Sequence, residues 1–218
     1  MGLRERKKLR TRATIERTAL ELFAKQGFQA TTLAQIAEVA EVAPSTLHAY
    51  FPSKEDIVFA SFDAALDSAK RRLVGRAADE RVVTALQAWI LDDLPQITGG
   101  DATLVQLRRS VADSDEAVLA QERLRLALLE DVLAEAFARD LHETSDDLRA
   151  RLMAAVAVNG LRAIWFWWYR HQQDGVGDPR DVYALDATYL TSVLEAAERA
   201  LEAIPSPEEH LRRREAAL

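Results

Sequence analysis

The 218-residue chain is 49% hydrophobic, enough to bury a sizeable core, and its length fits one large domain or a small domain joined to a larger one. It has no cysteine, which excludes disulfides, thiolate metal sites and a cysteine nucleophile, and its charged N-terminus lacks the apolar run of a secretory signal. The net charge of −7 is uneven: residues 1–54 carry nine Lys/Arg against five Asp/Glu and residues 55–218 carry 19 against 30, so a polyanion is the expected partner of the basic end.

In chain order, the patterns are helical throughout, with no alternating strand signal. A first helix is predicted from about Arg4 to Gln26, with Ile15, Ala19, Leu22 and Phe23 inward and Gly27 at its C-terminal cap. It opens with a basic arm of Arg4, Arg6, Lys7, Lys8, Arg10 and Arg12. Thr32 to Gln35 fits a capping box and starts a second, short helix. Pro44 suits the first position of a third. Ser53 and Asp56 open a fourth that runs to about Arg76. Later helices are predicted at about 80–94, 101–113, 115–140, 145–172 and 179–204. Breaks fall at Pro95, at Gly99-Gly100, and at Gly175, Gly177 and Pro179, with Asp178 as a cap. The tail after Pro205, residues 205–218, is polar.

The second and third helices are each too short to stand alone and require packing on the first and fourth. Leu33, Ile36, Ala37, Val42, Leu47 and Phe51 form the small core this demands. A short helix, a tight turn and a second short helix make a helix-turn-helix. Pro44, Ser45, Thr46, His48 and Ala49 then remain outward on the third helix, a small and nearly uncharged face that suits a major groove. The surrounding cations, from the basic arm to Lys54, belong to phosphates.

The stretch TLAQIAEVAEVAPSTLHAYFPSKED, residues 32–56, closely resembles the DNA-binding signature of the TetR family, and ALELFAKQGFQATT upstream matches that family's first helix and turn. The resemblance covers about residues 10–60. It implies phosphate contacts at Thr32, Thr46, Tyr50 and Lys54, with Arg6 in the arm, and groove-facing positions at Pro44, Ser45, His48 and Ala49. Three residues depart from the family pattern: His48 replaces a usual tyrosine, Ala43 a capping serine or threonine, and Glu41 a turn glycine. For the rest of the chain the resemblance implies an all-α ligand-binding and dimerisation domain, here 55–204, following a helix-turn-helix domain at 1–54.

The longest apolar stretch, 152–169, carries Asn159 and Arg162 near its middle, so it reads as a buried helix rather than a bilayer span. No membrane partner and a cytoplasmic location are expected. Five consecutive aromatics, Trp165 to Tyr169, surround this helix on all sides. The last helix carries two apolar stripes, one through Tyr183, Ala187, Leu190, Leu194 and Leu201 and one through Val182, Leu185, Tyr189, Val193 and Ala196. Helices apolar on two faces point to a partner subunit. The family resemblance implies a two-fold dimer through the last two long helices, for which Trp165, Trp168, Tyr183, Leu190, Leu194 and Leu201 are the candidate contacts.

Asn159, Arg162 and Phe166 share one stripe. A buried Arg162 needs an anion, either internal, with Asp92 or Asp93 as candidates, or supplied by a ligand. Leu66, Leu86, Trp89, Leu107 and Phe137 are candidate apolar walls around it. A hydrophobic, acyl-CoA-like anion is one effector class that fits. The chain has no HExxH motif, phosphate-binding glycine loop or nucleophile elbow, so no catalytic residue, metal or cofactor is assigned. The expected function is a homodimeric repressor released from a palindromic double-stranded DNA operator by a small hydrophobic effector. A helix-turn-helix regulator without an effector, and a helical enzyme, are the rival readings.

Overall fold

The structure is a computed structural model describing residues 2–98, 102–171 and 179–202, together with Arg212. Its helices are α1 (Leu3–Gln26), α2 (Leu33–Val39), α3 (Pro44–Tyr50), α4 (Lys54–Ala69), α5 (Val82–Ala88) and α6 (Leu94–Thr98), followed by α7 (Ala102–Ser114) and α8 (Glu116–Leu141). The last are α9 (Leu148–His171), α10 (Pro179–Leu185) and α11 (Thr191–Glu202). Three π-helical segments, Lys70–Val74, Trp89–Asp93 and Asp186–Leu190, adjoin α4, α5 and α10. No strand occurs among the described residues, and none of their helices is long and apolar enough to cross a membrane. The expected breaks at Gly99-Gly100 and at Gly175, Gly177 and Asp178, and the tail 205–218 apart from Arg212, lie outside the described residues.

The chain divides into two compact units, Met1–Asp63 with Asp101–Arg125, and Ala64–Gly100 with Leu126–Leu218. The first is wider than the 1–54 segment marked out on the sequence. The inward face of α1 is too broad for α2 and α3 to cover, and α7 packs on it as well. Ile15, Ala19, Leu20, Phe23, Ile36, Leu47 and Phe51 share one core with Val111, Ala112 and Val118. The rings of Phe23 and Phe28 meet at a tilt within it, their centres 5.0 Å apart. Polar ties fix the added helices: Glu16 pairs with Arg108, and Gln29 donates to Asp115 at 3.0 Å. Burial pushes the Asp115 carboxyl up, but the N–H of Val118 and the amide of Gln29 outweigh it and hold it below the ordinary carboxylate value.

Helix ends in this unit follow local chemistry. At Gly27 the backbone takes φ 92°, a conformation that favours glycine, and its N–H donates to the Phe23 carbonyl at 2.9 Å. Thr32 and Gln35 close the expected capping box on α2. Ser53 and Asp56 do the same on α4: the Asp56 N–H donates to Ser53 Oγ at 3.1 Å and the Ser53 N–H to Asp56 Oδ2 at 2.9 Å.

In the second unit Arg76 is buried and fully engaged. It pairs with Asp140, and it donates to the carbonyls of Glu80 and Ala136, each at 2.9 Å. Asp140 in turn accepts from the Val82 N–H at 2.7 Å and so caps α5. Pro95, expected to break a helix, does not. The turn before it widens to a π-helix, and the Leu94 N–H reaches back to the Trp89 carbonyl. The wider turn accommodates the missing N–H and the bulky ring that proline brings.

Candidate DNA-contacting face and effector region

α3 is held by one residue and presents four. Leu47 is fully buried, whereas Pro44, Ser45, His48 and Ala49 are exposed and Thr46 is half-buried. Its N-cap is Ala43, which makes no side-chain cap bond, so Pro44 at the first position carries the start of the helix by its fixed φ. The preceding turn puts Glu41 at φ 55°, the left-handed region where a glycine was the expected residue. Tyr50 is half-buried and its ring packs on the unit's core. The Thr32 hydroxyl is engaged locally, accepting from the Gln35 N–H at 3.2 Å. Arg6 is exposed on α1, which carries the whole basic arm as helix.

Lys54 is more tightly placed than its sequence role foretold. Its Nζ donates to the Phe28 carbonyl at 2.7 Å and sits 4.4 Å from the centre of the Phe28 ring. It thus ties the start of α4 to the loop after α1. Arg12 likewise lies over Phe51, 4.6 Å from the ring centre, and joins the arm to the end of α3. Neither contact has a periodic signature in the sequence.

The residues expected around an effector fall on both units, some buried and some exposed. Leu86, Trp89 and Phe137 are buried in the second unit and Leu66 is half-buried there. Leu107 belongs to α7 and packs against the core of the first unit. Asn159, Arg162 and Phe166 are exposed. The buried stripe of α9 runs through Ala150, Ala154, Ala157, Leu161 and Trp168, and these three lie off it. Arg162 donates to Asn159 Oδ1 at 3.2 Å, and Asn159 donates to the Ala155 carbonyl at 2.9 Å. An exposed guanidinium is compensated by water and needs neither Asp92, Asp93 nor a ligand anion. Arg162 therefore offers no buried cation to an anionic effector.

On the last helices the stripe expected at the dimer contact is the buried one, while the other is buried at Val182 and exposed at Tyr189, Val193 and Ala196. Trp168, Tyr183, Leu190 and Leu194, read as dimer contacts, are buried in the unit's own core, and Trp165 and Leu201 are half-buried. The exposed apolar side chains are instead Phe166 and Trp167 on α9, with Tyr189 at 63% and Val193 at 53% exposure on the last helices. Leu190 of the inward stripe packs closely on Gly160 of α9. A Cβ there would stand 2.5 Å from Leu190 Cδ1, so the glycine admits Leu190 against α9.

The family model described as "Bacterial regulatory proteins, tetR family" matches residues 15–60, the segment that builds α2, α3 and their supports. The HTH-type transcriptional regulator TcmR of Streptomyces glaucescens is 33% identical over 174 residues, 77% of each chain. The chain belongs to the TetR family. It is a transcriptional regulator with a helix-turn-helix DNA-binding domain, not an enzyme. The TetR-type fold extends over the remainder. The SmeT–triclosan complex superposes with a TM-score of 0.60 at 14% identity, over 86% of this chain and 90% of that one. NalD, the secondary repressor of the MexAB-OprM multidrug efflux pump in Pseudomonas aeruginosa, gives 0.51 at 18% identity, over 88% and 97%.

One further residue of this TetR-family chain stands out in the structure. Asp186 is fully buried with no charged group beside it, and neither carboxyl oxygen makes a hydrogen bond of good geometry, the nearest donor acting on it being the Trp165 side chain. Its signal was present: it sits beside Ala187, on the stripe that Tyr183 and Leu190 mark as inward.

Proposed function

We propose that the protein is a homodimeric repressor that reads a palindromic operator with α3 and is released by a small hydrophobic molecule held in the second unit. The observation that carries the DNA-reading part is the exposed face of Pro44, Ser45, His48 and Ala49, anchored from behind by Leu47. These groups are small enough to approach base edges, and they lack the strong bidentate donors that read guanine. Thymine-methyl contacts and DNA shape then carry part of the specificity. Thr32, Thr46, Tyr50, Lys54 and Arg6 supply the phosphate contacts that set register.

The dimer is proposed through the exposed stripe of α9 and the last helices, with Phe166, Trp167, Tyr189 and Val193 at its centre. Two-fold pairing places two recognition helices about one DNA turn apart, roughly 34–36 Å. The effector part rests on the second unit, whose core is built around buried Trp89, Phe137 and Trp168. Release and repression follow the precedent of fold relatives, one solved with triclosan and one a repressor of an efflux pump. A ligand releases DNA only by binding better to a conformation that mismatches the half-sites.

Footprinting on the intergenic DNA beside the gene tests the reading. A protected palindrome is expected, and replacing Ser45 or His48 should change preference among operator variants. Equal loss on every sequence, specific or not, would remove these residues from base reading.

A further inference from the structure

Asp186 opens the last of the described π-helical segments of the second unit, Asp186–Leu190, which packs against the segment Trp89–Asp93 and against α9. π-helical turns are uncommon and recur at functional sites. The carboxyl is fully buried; neither oxygen makes a hydrogen bond of good geometry, and the Trp165 side chain is the hydrogen-bonding group near enough to act on it. The other buried polar side chains described in this unit are Ser68, Arg76 and Thr191. Arg76 is committed to Asp140 and to backbone carbonyls, and the Thr191 hydroxyl donates to the Ala187 carbonyl. Burial raises the Asp186 pKa to about 8, with Trp165 pulling the other way and no charged group contributing. In the empty protein at neutral pH it is therefore mostly a neutral acid.

The surroundings are aromatic. Trp165 meets Trp168 edge-on at 5.8 Å and Tyr183 at 5.4 Å between ring centres, and Tyr183 lies one turn before Asp186. The indole N–H groups of Trp168 and Trp89 are buried and unpartnered as well. A buried carboxyl with no charged partner lowers stability and returns little to the fold. Aromatic faces around a carboxylate are what an organic cation requires, because the rings attract it by their quadrupole and the carboxylate neutralises it.

We propose that Asp186, with the rings of Trp165, Trp168 and Tyr183, recognises the amine of a hydrophobic organic cation, and that this cation class supplies the effector. The proposal rests on the reading of the second unit as an effector domain. Binding converts the neutral acid to a carboxylate, so the proton of Asp186 leaves to solvent as the ammonium arrives.

The full-length protein is titrated at pH 6.5 with decylamine, decanol and decanoate, followed by tryptophan emission and by calorimetry in two buffers of different ionisation enthalpy. Decylamine is expected to bind at least about tenfold tighter than decanol, with decanoate weakest. About one proton should be released per amine bound, since the carboxyl holds it at that pH. Asp186→Asn should reduce decylamine to the level of decanol and leave decanol unchanged. Equal binding of amine and alcohol, tightest binding of decanoate, or amine binding without proton release would overturn the carboxyl site while leaving a hydrophobic effector domain in place. Binding of none of the three would overturn the effector reading with it. The proton count needs only the wild-type protein, so a poorly folding variant does not remove the test.

Discussion

Lys54, proposed to contact phosphate, is already used by the fold. Its ammonium already donates to the Phe28 carbonyl at 2.7 Å and rests on the Phe28 ring. Lys54→Met should therefore lower stability by about 1 kcal/mol, read by urea unfolding. It should also weaken binding to all DNA and flatten the salt slope by about one unit. A stability loss with an unchanged salt slope would leave Lys54 as a structural tie alone. Asp186 carries a different signature. Its folded pKa is raised to about 8, above the unfolded value near 3.9. Below about pH 4 both states hold the proton and no penalty exists. As pH rises towards 8 only the unfolded state releases it, so stability falls by up to about 1.4 kcal/mol per pH unit across that window. Asp186→Asn should remove this slope, and unfolding the two proteins in urea between pH 4 and pH 8 compares them directly. Parallel curves would show that Asp186 is ionised in the fold.

At the scale of elements, the turn between α2 and α3 is the place where local chemistry and fold disagree. Glu41 adopts φ 55°, a left-handed conformation that costs a non-glycine residue about 1 kcal/mol. Glu41→Gly should relieve it and raise stability by roughly 0.5–1 kcal/mol, a shift of about 2 °C or more in Tm. Operator preference should not change, because Leu47 still fixes how α3 faces outward. An unchanged or lower Tm would show that the strain is already absorbed by the surrounding helices. The short helices themselves were legible as sequence, since Thr32 and Gln35, Pro44, and Ser53 with Asp56 are local signals that act within one turn. The π-helical turn ahead of Pro95 was not. A proline pattern marks a break, and only packing decides that the helix widens instead.

For the whole molecule the exposed stripe of Phe166, Trp167, Tyr189 and Val193 separates two kinds of substitution. Val193→Glu should leave each subunit folded and shift the protein to monomer, with operator affinity falling alongside, because single half-sites bind weakly. Leu194→Glu should instead unfold the subunit, since Leu194 is fully buried and an unpaired charge in a core costs several kcal/mol. Sedimentation and circular dichroism together distinguish them. A Val193→Glu dimer with intact operator binding would reject this face.

The helix-turn-helix, its caps and its outward residues were determined by the sequence itself, because each rests on neighbours within a few positions and on the 3.6-residue period. The family followed from those same positions. What the period cannot choose is which of two apolar stripes turns inward. On the last helices both are apolar, and packing between distant residues, such as Leu190 against Gly160, turns one of them inward. The same limit hid the exposure of Arg162, the clamp of Arg76 on Asp140 and the isolation of Asp186. Burial and pairing of a charge depend on the elements packed around it, so only the tertiary structure decides them.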